Sequence, residues 1–273
     1  MEPKEQLYNM NVGEALNYIN ELAPFKYAEV WDNVGLMLGS RKSEVTKIMV
    51  CMDATLKTIQ EAIDSGVDLI VSHHPFLFSK LKSVDFDSMT GQRILALIQN
   101  NINVISAHTN LDVAVGGVND TFAEAVGLTE CDKLKTYIPE GLEVDLGLGK
   151  VGKLSNELSF DQFVSQIKKN LAIQNLRIIG AQPKTVKKVA TFCGSFDGDL
   201  ESVKRHGVDL LVTGDIKYHT ALDAREIGLC ILDVGHFASE RLIVARLKKL
   251  LENRFDKVEI VYSSLEEDPF IFT

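Results

Sequence analysis

Short apolar runs alternate with amphipathic stretches along most of the chain. Residues 11–23 place Val12, Leu16, Ile19 and Ala23 at three- and four-residue intervals, one face of a helix. Asn11 and Glu14 have the spacing of a capping box, and Pro24 ends the element. Residues 29–39 carry Trp31, then polar Asp32 and Asn33, then a strand-like run. Trp31 reads as a core residue beside a turn, and Asp32 and Asn33 as lining for a pocket. Residues 47–52 predict a strand, and 55–65 a helix with Leu56, Ile59, Ala62 and Ile63 on one face, closed by Gly66. The continuous run Leu69-Ile70-Val71 between Gly66 and Pro75 suits a central strand of a parallel sheet, and it leads straight into His73-His74. Residues 76–90 are too polar and irregular for a core element and predict a functional or mobile loop. A helix at 92–100, a strand at 102–106 leading to Ala107-His108, and a helix at 119–126 follow. Residues 127–151 show no pattern and read as a link. Beyond them come a helix with a capping box at Ser159 and Gln162, a strand at 176–179 and a strand at 188–193. Cys193-Gly194-Ser195-Phe196-Asp197-Gly198-Asp199 then suits either an anion cradle of backbone N–H groups or a plain strand-to-helix turn. A last helix begins near Phe237, with Leu242, Ile243, Leu247, Leu250 and Leu251 on its apolar face.

Gly66-Val67-Asp68-Leu69-Ile70-Val71-Ser72 matches Gly207-Val208-Asp209-Leu210-Leu211-Val212-Thr213. A strand and a helix precede each copy, and a strand ending in histidine follows each, at His108 and at His236. An acid lies four residues beyond each histidine, Asp112 and Glu240. Chance likeness of two apolar strands is the competing explanation. The expected fold is therefore α/β: two similar α/β domains, an internal repeat, meeting at one shared site, for which the histidines and acids at the strand ends suggest a dinuclear metal site. The first domain takes residues 1–127 plus 231–273, and the second 128–230.

Composition narrows the function classes. The 273 residues are 45% hydrophobic and 25% charged, with a net charge of −9. Such a balance suits a globular protein and disfavours general binding to nucleic acid. The cysteines, Cys51, Cys131, Cys193 and Cys230, show no CxxC spacing and read as reduced residues of a cytoplasmic protein. The first six residues lack a leader pattern, and no apolar run approaches the ~18 residues of a membrane span.

Five of the six histidines (His73, His74, His108, His219 and His236) fall at or just beyond predicted strand ends, where ligands bind in open α/β sheets. His206 sits at a helix end, facing terminal carbonyls. Two solvated loop histidines are the plainer explanation of His73 and His74. Counted together, His73, His74, Asp112, His236 and Glu240 exceed the needs of one tetrahedral zinc site. With water they suit two divalent ions roughly 3.5–4 Å apart and hydrolysis by a metal-activated water. His108, Asp215, His219 or Asp32 could shuttle protons or hold substrate. Mixed His/carboxylate donors leave Zn, Mn, Fe, Co and Ni open. No serine nucleophile elbow, phosphate loop or dinucleotide fingerprint appears.

The segments from Ala28 to Leu36, Ser72-His73-His74-Pro75, Ala107-His108-Thr109-Asn110-Leu111-Asp112, Gly214-Asp215-Ile216-Lys217-Tyr218-His219 and Gly235-His236-Phe237-Ala238-Ser239-Glu240 resemble the Nif-three-like family of dinuclear-metal proteins. The likeness runs in order over nearly the whole chain. It implies two similar α/β domains and a homohexameric toroid with metal sites facing its interior. It also implies two divalent ions on His73, His74, Asp112, His236 and Glu240, with His108 beside them or as a further ligand. The implied activity is that of a GTP cyclohydrolase 1 type 2-like hydrolase acting on GTP or another nucleotide. The alternative is a metal-binding scaffold or regulatory protein that acts through a partner. A DNA clamp using the ring's hole is a third reading, opposed by the charge. Two departures stand out: the short 127–151 segment leaves no room for the domain that some members insert, and Phe196, Asp197 and Asp199 make the glycine loop less accommodating to phosphate.

Overall fold

The computed structural model of the protein describes residues 10–271. The leader-free reading of the first six residues falls outside them. In chain order the elements are α1 (Val12–Leu22), β1 (Gly35–Leu38), β2 (Lys47–Cys51), α2 (Leu56–Asp64), β3 (Leu69–Ser72), α3 (Met89–Gln99), β4 (Asn103–Ser106), α4 (Thr109–Val113) and α5 (Val118–Val126). Then come β5 (Leu128–Tyr137), β6 (Leu146–Ser159), α6 (Phe160–Asn170), β7 (Arg177–Ile179), β8 (Thr185–Ser195), α7 (Leu200–Arg205), β9 (Leu210–Gly214), α8 (Tyr218–Glu226), β10 (Cys230–Asp233), α9 (His236–Glu240), α10 (Leu242–Arg254) and β11 (Glu259–Tyr262). Among the described residues no helix is long and apolar enough to cross a membrane.

The elements form two compact units. One holds the chain as far as Leu111 together with Val244–Glu267, and the other holds Asp112–Ile243 with the chain from Asp268. Strand β10 pairs inside the second unit, so that unit continues past residue 230.

The first unit is a five-stranded sheet in the order β1-β4-β3-β2-β11. β4, β3, β2 and β11 run parallel, and β1 is antiparallel at the edge. β3 and β4 are buried at every residue, as continuous apolar strands between helix layers must be. Met49, Ile59, Ala62, Ile70, Leu97 and Val104 form one core cluster. The capping box of α1 is present: Asn11 Oδ1 accepts from the Glu14 amide at 3.1 Å, and Glu14 accepts from the Asn11 amide at 2.9 Å.

The second unit is a six-stranded sheet in the order β5-β6-β8-β9-β10-β7. β8, β9 and β10 are parallel, while the β5/β6 hairpin and β7 flank them antiparallel. The hairpin corrects the reading of 127–151 as a link. β5 exposes Thr129, Glu130, Cys131 and Asp132 in succession, so it shows no apolar alternation. Such charges protect an edge strand from unwanted pairing. β6 carries glycines because its partner lies too close for a side chain: a Cβ on Gly147 would sit 2.5 Å from Lys133 Cβ. Phe192, Phe196, Leu200, Val203, Leu211 and Ile231 share a core cluster.

The two Gly-Val-Asp-Leu segments are built alike. Gly66 (φ +66°) and Gly207 (φ +58°) end their helices in the left-handed region. Asp68 Oδ2 accepts from the Thr46 and Lys47 amides at 2.7 and 3.0 Å, and Asp209 Oδ2 from the Lys187 and Lys188 amides, both at 2.8 Å. Each aspartate therefore aligns its own strand with the one before it.

Phe122 of α5 is fully buried in the second unit. Phe122→Ala is expected to cost about 3–5 kcal/mol of stability, read from the midpoint of urea unfolding.

Candidate metal centre

The strand ends of the first unit carry three imidazoles. β2, β3 and β4 are in parallel register, with Cys51 opposite Ser72 and Ser72 opposite Ser106. Their carboxyl ends therefore align, and the residues just beyond them are Asp53, His73-His74 and Ala107-His108. Ser72 Oγ lies 2.9 Å from Ser106 Oγ and 2.8 Å from the His74 carbonyl, tying the exits of β3 and β4 together. Ring centroids are 5.0 Å apart for His73 and His74, 5.3 Å for His73 and His108, and 5.6 Å for His74 and His108. One ligand atom from each of the three lies within 4.8 Å of the others, and the group could hold a metal ion.

Each ring is oriented through Nδ1. His73 Nδ1 lies 2.9 Å from the Ala107 carbonyl, which has no proton to give, so Nδ1 is the donor and Nε2 keeps its lone pair. His74 Nδ1 donates to Asp53 and His108 Nδ1 to Asp32, each at 2.9 Å. Metal-ligating histidines are held in this way, with the second nitrogen on a carboxylate or carbonyl. Burial opposes the charge on Asp32. Hydrogen bonds from His108 and Thr109 outweigh it and bring the carboxyl down to about 2. Glu266 adds a further layer: it accepts from the Met52 and Asp53 amides, and burial raises its pKa. Neither Asp53 nor Glu266 was singled out in the sequence. Asp53 follows a strand end, a signal that could have found it. Glu266 carries none, because it arrives from 213 residues further along.

The second unit gathers its own donors. α9 begins at His236 and ends at Glu240, so the four-residue spacing brings His236 Nε2 to 2.9 Å from Glu240 Oε2. Glu240 is 3% exposed. His236 Nδ1 donates to Asp215 at 2.9 Å, the arrangement seen for the first three rings. Asp215 adopts φ +49°, a conformation uncommon outside glycine that concentrates at functional sites. Gly194 has φ +62°, and a Cβ there would meet Glu240 Oε1 at 2.1 Å, so only glycine fits beside that carboxylate. Asp112, on α4, has Oδ1 3.9 Å from Cys193 Sγ. Burial, then the charges of Asp112 and Glu240, push the Cys193 thiol well up. A nitrogen and carboxylate oxygens in this setting suit a borderline divalent ion.

Other expectations resolve differently. Trp31 is not a core residue: it is 59% exposed. His219 is exposed on the first turn of α8, in ring contact with Tyr218. His206 donates to the Leu134 carbonyl of β5 rather than to the end of its own helix. The expected C-terminal helix is two, α9 and α10. The 193–199 segment is a strand-to-helix turn: β8 runs to Ser195, Phe196 is core, and Asp199 caps α7 through the Ser202 amide.

A folded-state pKa of about 2, below the ordinary 3.8, means that ionised Asp32 stabilises the fold above about pH 4. Asp32→Asn is expected to lose about 2 kcal/mol at neutral pH. The gap from wild type should close as pH falls toward 2, measured by thermal unfolding across that range.

Comparison with known proteins agrees with these features. The model of the Duf34/NIF3 (NGG1p interacting factor 3) family matches residues 10–269. A Clostridium perfringens protein named GTP cyclohydrolase 1 type 2 homolog is 39% identical, covering 96% of this chain and 100% of its own length. A Clostridium acetobutylicum protein of the same name is 35% identical over 97% of this chain and 99% of its own. The crystal structure of a Bacillus cereus protein related to NIF3 superposes with a TM-score of 0.89 at 27% identity, over 97% of this chain and 100% of that one. A family match across 260 positions, relatives of full-length similarity and a shared fold place the chain in the Duf34/NIF3 family.

Proposed function

We propose that His73, His74, Asp112, His236 and Glu240 are the ligands of two divalent ions, and that the protein is a hydrolase acting on a nucleotide such as GTP. One observation carries the metal reading. His73, His74, His108 and His236 all commit Nδ1 to an oxygen acceptor, which turns Nε2 toward the donor cluster; in His236 that Nε2 faces Glu240 Oε2 at 2.9 Å, a pair that one ion could take as adjacent ligands. Chance placement of four histidines would not repeat that choice. The nucleotide reading rests on the names of the clostridial relatives. Divalent ions held by such donors acidify water and polarise carbonyl or phosphoryl oxygens.

The chain's own residues then divide the work. Asp53 and Asp215 fix the tautomers of His74 and His236. Asp32 does the same for His108, whose Nε2 is the atom that exchanges a proton with substrate or serves as a further ligand. His219, at the surface of α8, is left to contact substrate. If the substrate were GTP, opening its guanine imidazole ring would need water at C8, and the ions held by these residues would supply the acidity for it. Resemblance to the family further supports a cytoplasmic homohexameric toroid. A second reading, a metal-binding scaffold that serves a partner, draws on the family's description as an interacting factor.

Plasma mass spectrometry on protein purified without chelator or affinity metal is expected to find about two ions per chain, the count that such hydrolytic sites use. The His73→Ala/His236→Ala double variant should lose them. Less than half an ion per chain after reconstitution would sink the proposal. Asp215→Asn and Asp53→Asn should each weaken metal affinity about 10–100-fold. Glu240→Ala, with assembly intact, should abolish GTP turnover. A partner captured equally by that variant and wild type, with no turnover by either, would favour the scaffold.

A further inference from the structure

Packing does not account for Trp31 and Phe78. Trp31 is 59% exposed and Phe78 57% exposed, in a chain with a single tryptophan. Large aromatic surface left in water is unfavourable and commonly marks a binding site. Neither ring hangs on a slack segment. Asp32, next to Trp31, accepts from His108 Nδ1 and from the Thr109 amide. The Glu29 amide donates to Thr109 Oγ1 at 2.9 Å. Asn33 Nδ2 donates to the Leu77 carbonyl at 2.5 Å, joining the Trp31 turn to the start of the loop that carries Phe78.

The two rings contact one another in a tilted pair, with centroids 5.9 Å apart and planes at 48°. Trp31 also meets His108 edge-on, at 6.1 Å and 73°. A flat ring resting on Trp31 therefore lies one imidazole away from His73 and His74. Lys80 and Lys82, both exposed, follow Phe78 on the same loop. Phe78 and two lysines within five residues of one loop, with Trp31 against Phe78, suit the two ends of a nucleotide, its base and its phosphates.

We infer that Trp31 and Phe78 are a stacking platform for the purine ring of a nucleotide substrate, with Lys80 and Lys82 placed for its phosphates. The inference rests on reading the neighbouring imidazoles as part of a nucleotide-hydrolysing metal site. Its chemistry is non-covalent: base stacking on an indole and a phenyl ring adjacent to the metal ligands. It assigns the 76–90 loop a role in substrate choice.

The single tryptophan makes the test direct. Intrinsic fluorescence of the protein, as purified with its metal, is followed during titration with guanosine, GTP and tripolyphosphate. Guanosine and GTP are expected to perturb Trp31 emission saturably, and tripolyphosphate not to. Phe78→Ala should weaken guanosine binding about tenfold, the loss expected from one stacking contact. Lys80→Ala/Lys82→Ala should weaken GTP but not guanosine. Circular dichroism checks that each variant is folded. No response to guanosine, or unchanged guanosine affinity in Phe78→Ala, would overturn the platform. So would emission that shifts with protein concentration but not with guanosine, which would assign the rings to contact between copies. Saturable guanosine binding without GTP turnover would keep the platform and remove the hydrolase reading. Unaltered KM for GTP in Trp31→Ala/Phe78→Ala would do the reverse.

Discussion

The hydrogen bond from a histidine Nδ1 to a fixed oxygen is the interaction on which the candidate site depends. An imidazole has two nitrogens and, when neutral, one proton. Which nitrogen can ligate is decided by where that proton goes. Ala107, Asp53, Asp32 and Asp215 make that decision for His73, His74, His108 and His236. A ring without such a partner would rotate between orientations, and the donor atom would be lost from its place.

Strand register supplies those partners. In the first unit, Cys51, Ser72 and Ser106 lie side by side, so Asp53, His74 and Ala107 emerge at one level. In the second, Thr213 is opposite Asp233, and Asp215 and His236 leave their strands together. Gly214 is required at that exit: a Cβ there would meet the Gly194 carbonyl at 2.6 Å and the His236 amide at 2.8 Å. Asp68 and Asp209, by accepting from the amides that open β2 and from those near the start of β8, set the register from the opposite ends of the strands. A slip of one residue would separate every ring from its acceptor.

Burial adds an electrostatic demand. Glu240 is almost completely buried, as are the imidazole of His73 and the thiol of Cys193. Carboxylates are removed from water only when paired, hydrogen-bonded or bound to a cation. Glu240 is matched by His236, and the Cys193 thiol stays protonated beside the acids. The environment is thus arranged for positive charge, in keeping with the donor set. The exposed Trp31 and Phe78 show the complementary choice, apolar surface kept in water beside polar donors that are buried.

The amino-acid sequence alone determined the local features: the α1 capping box, the buried runs of β3 and β4, the helix-ending Gly66 and Gly207, and histidines collected at strand ends. These are legible because caps, periodicity and turn chemistry act between residues only a few positions apart. The β5/β6 hairpin was hidden because an edge strand needs no apolar face, and β11 because it is short and half exposed. Only the tertiary structure decided that Trp31 faces solvent, that Asp53 orients His74 and that Glu266 backs the end of β2. Each of those outcomes rests on contacts between residues far apart in the chain, which the sheet register brings together and which leave no periodic mark along it.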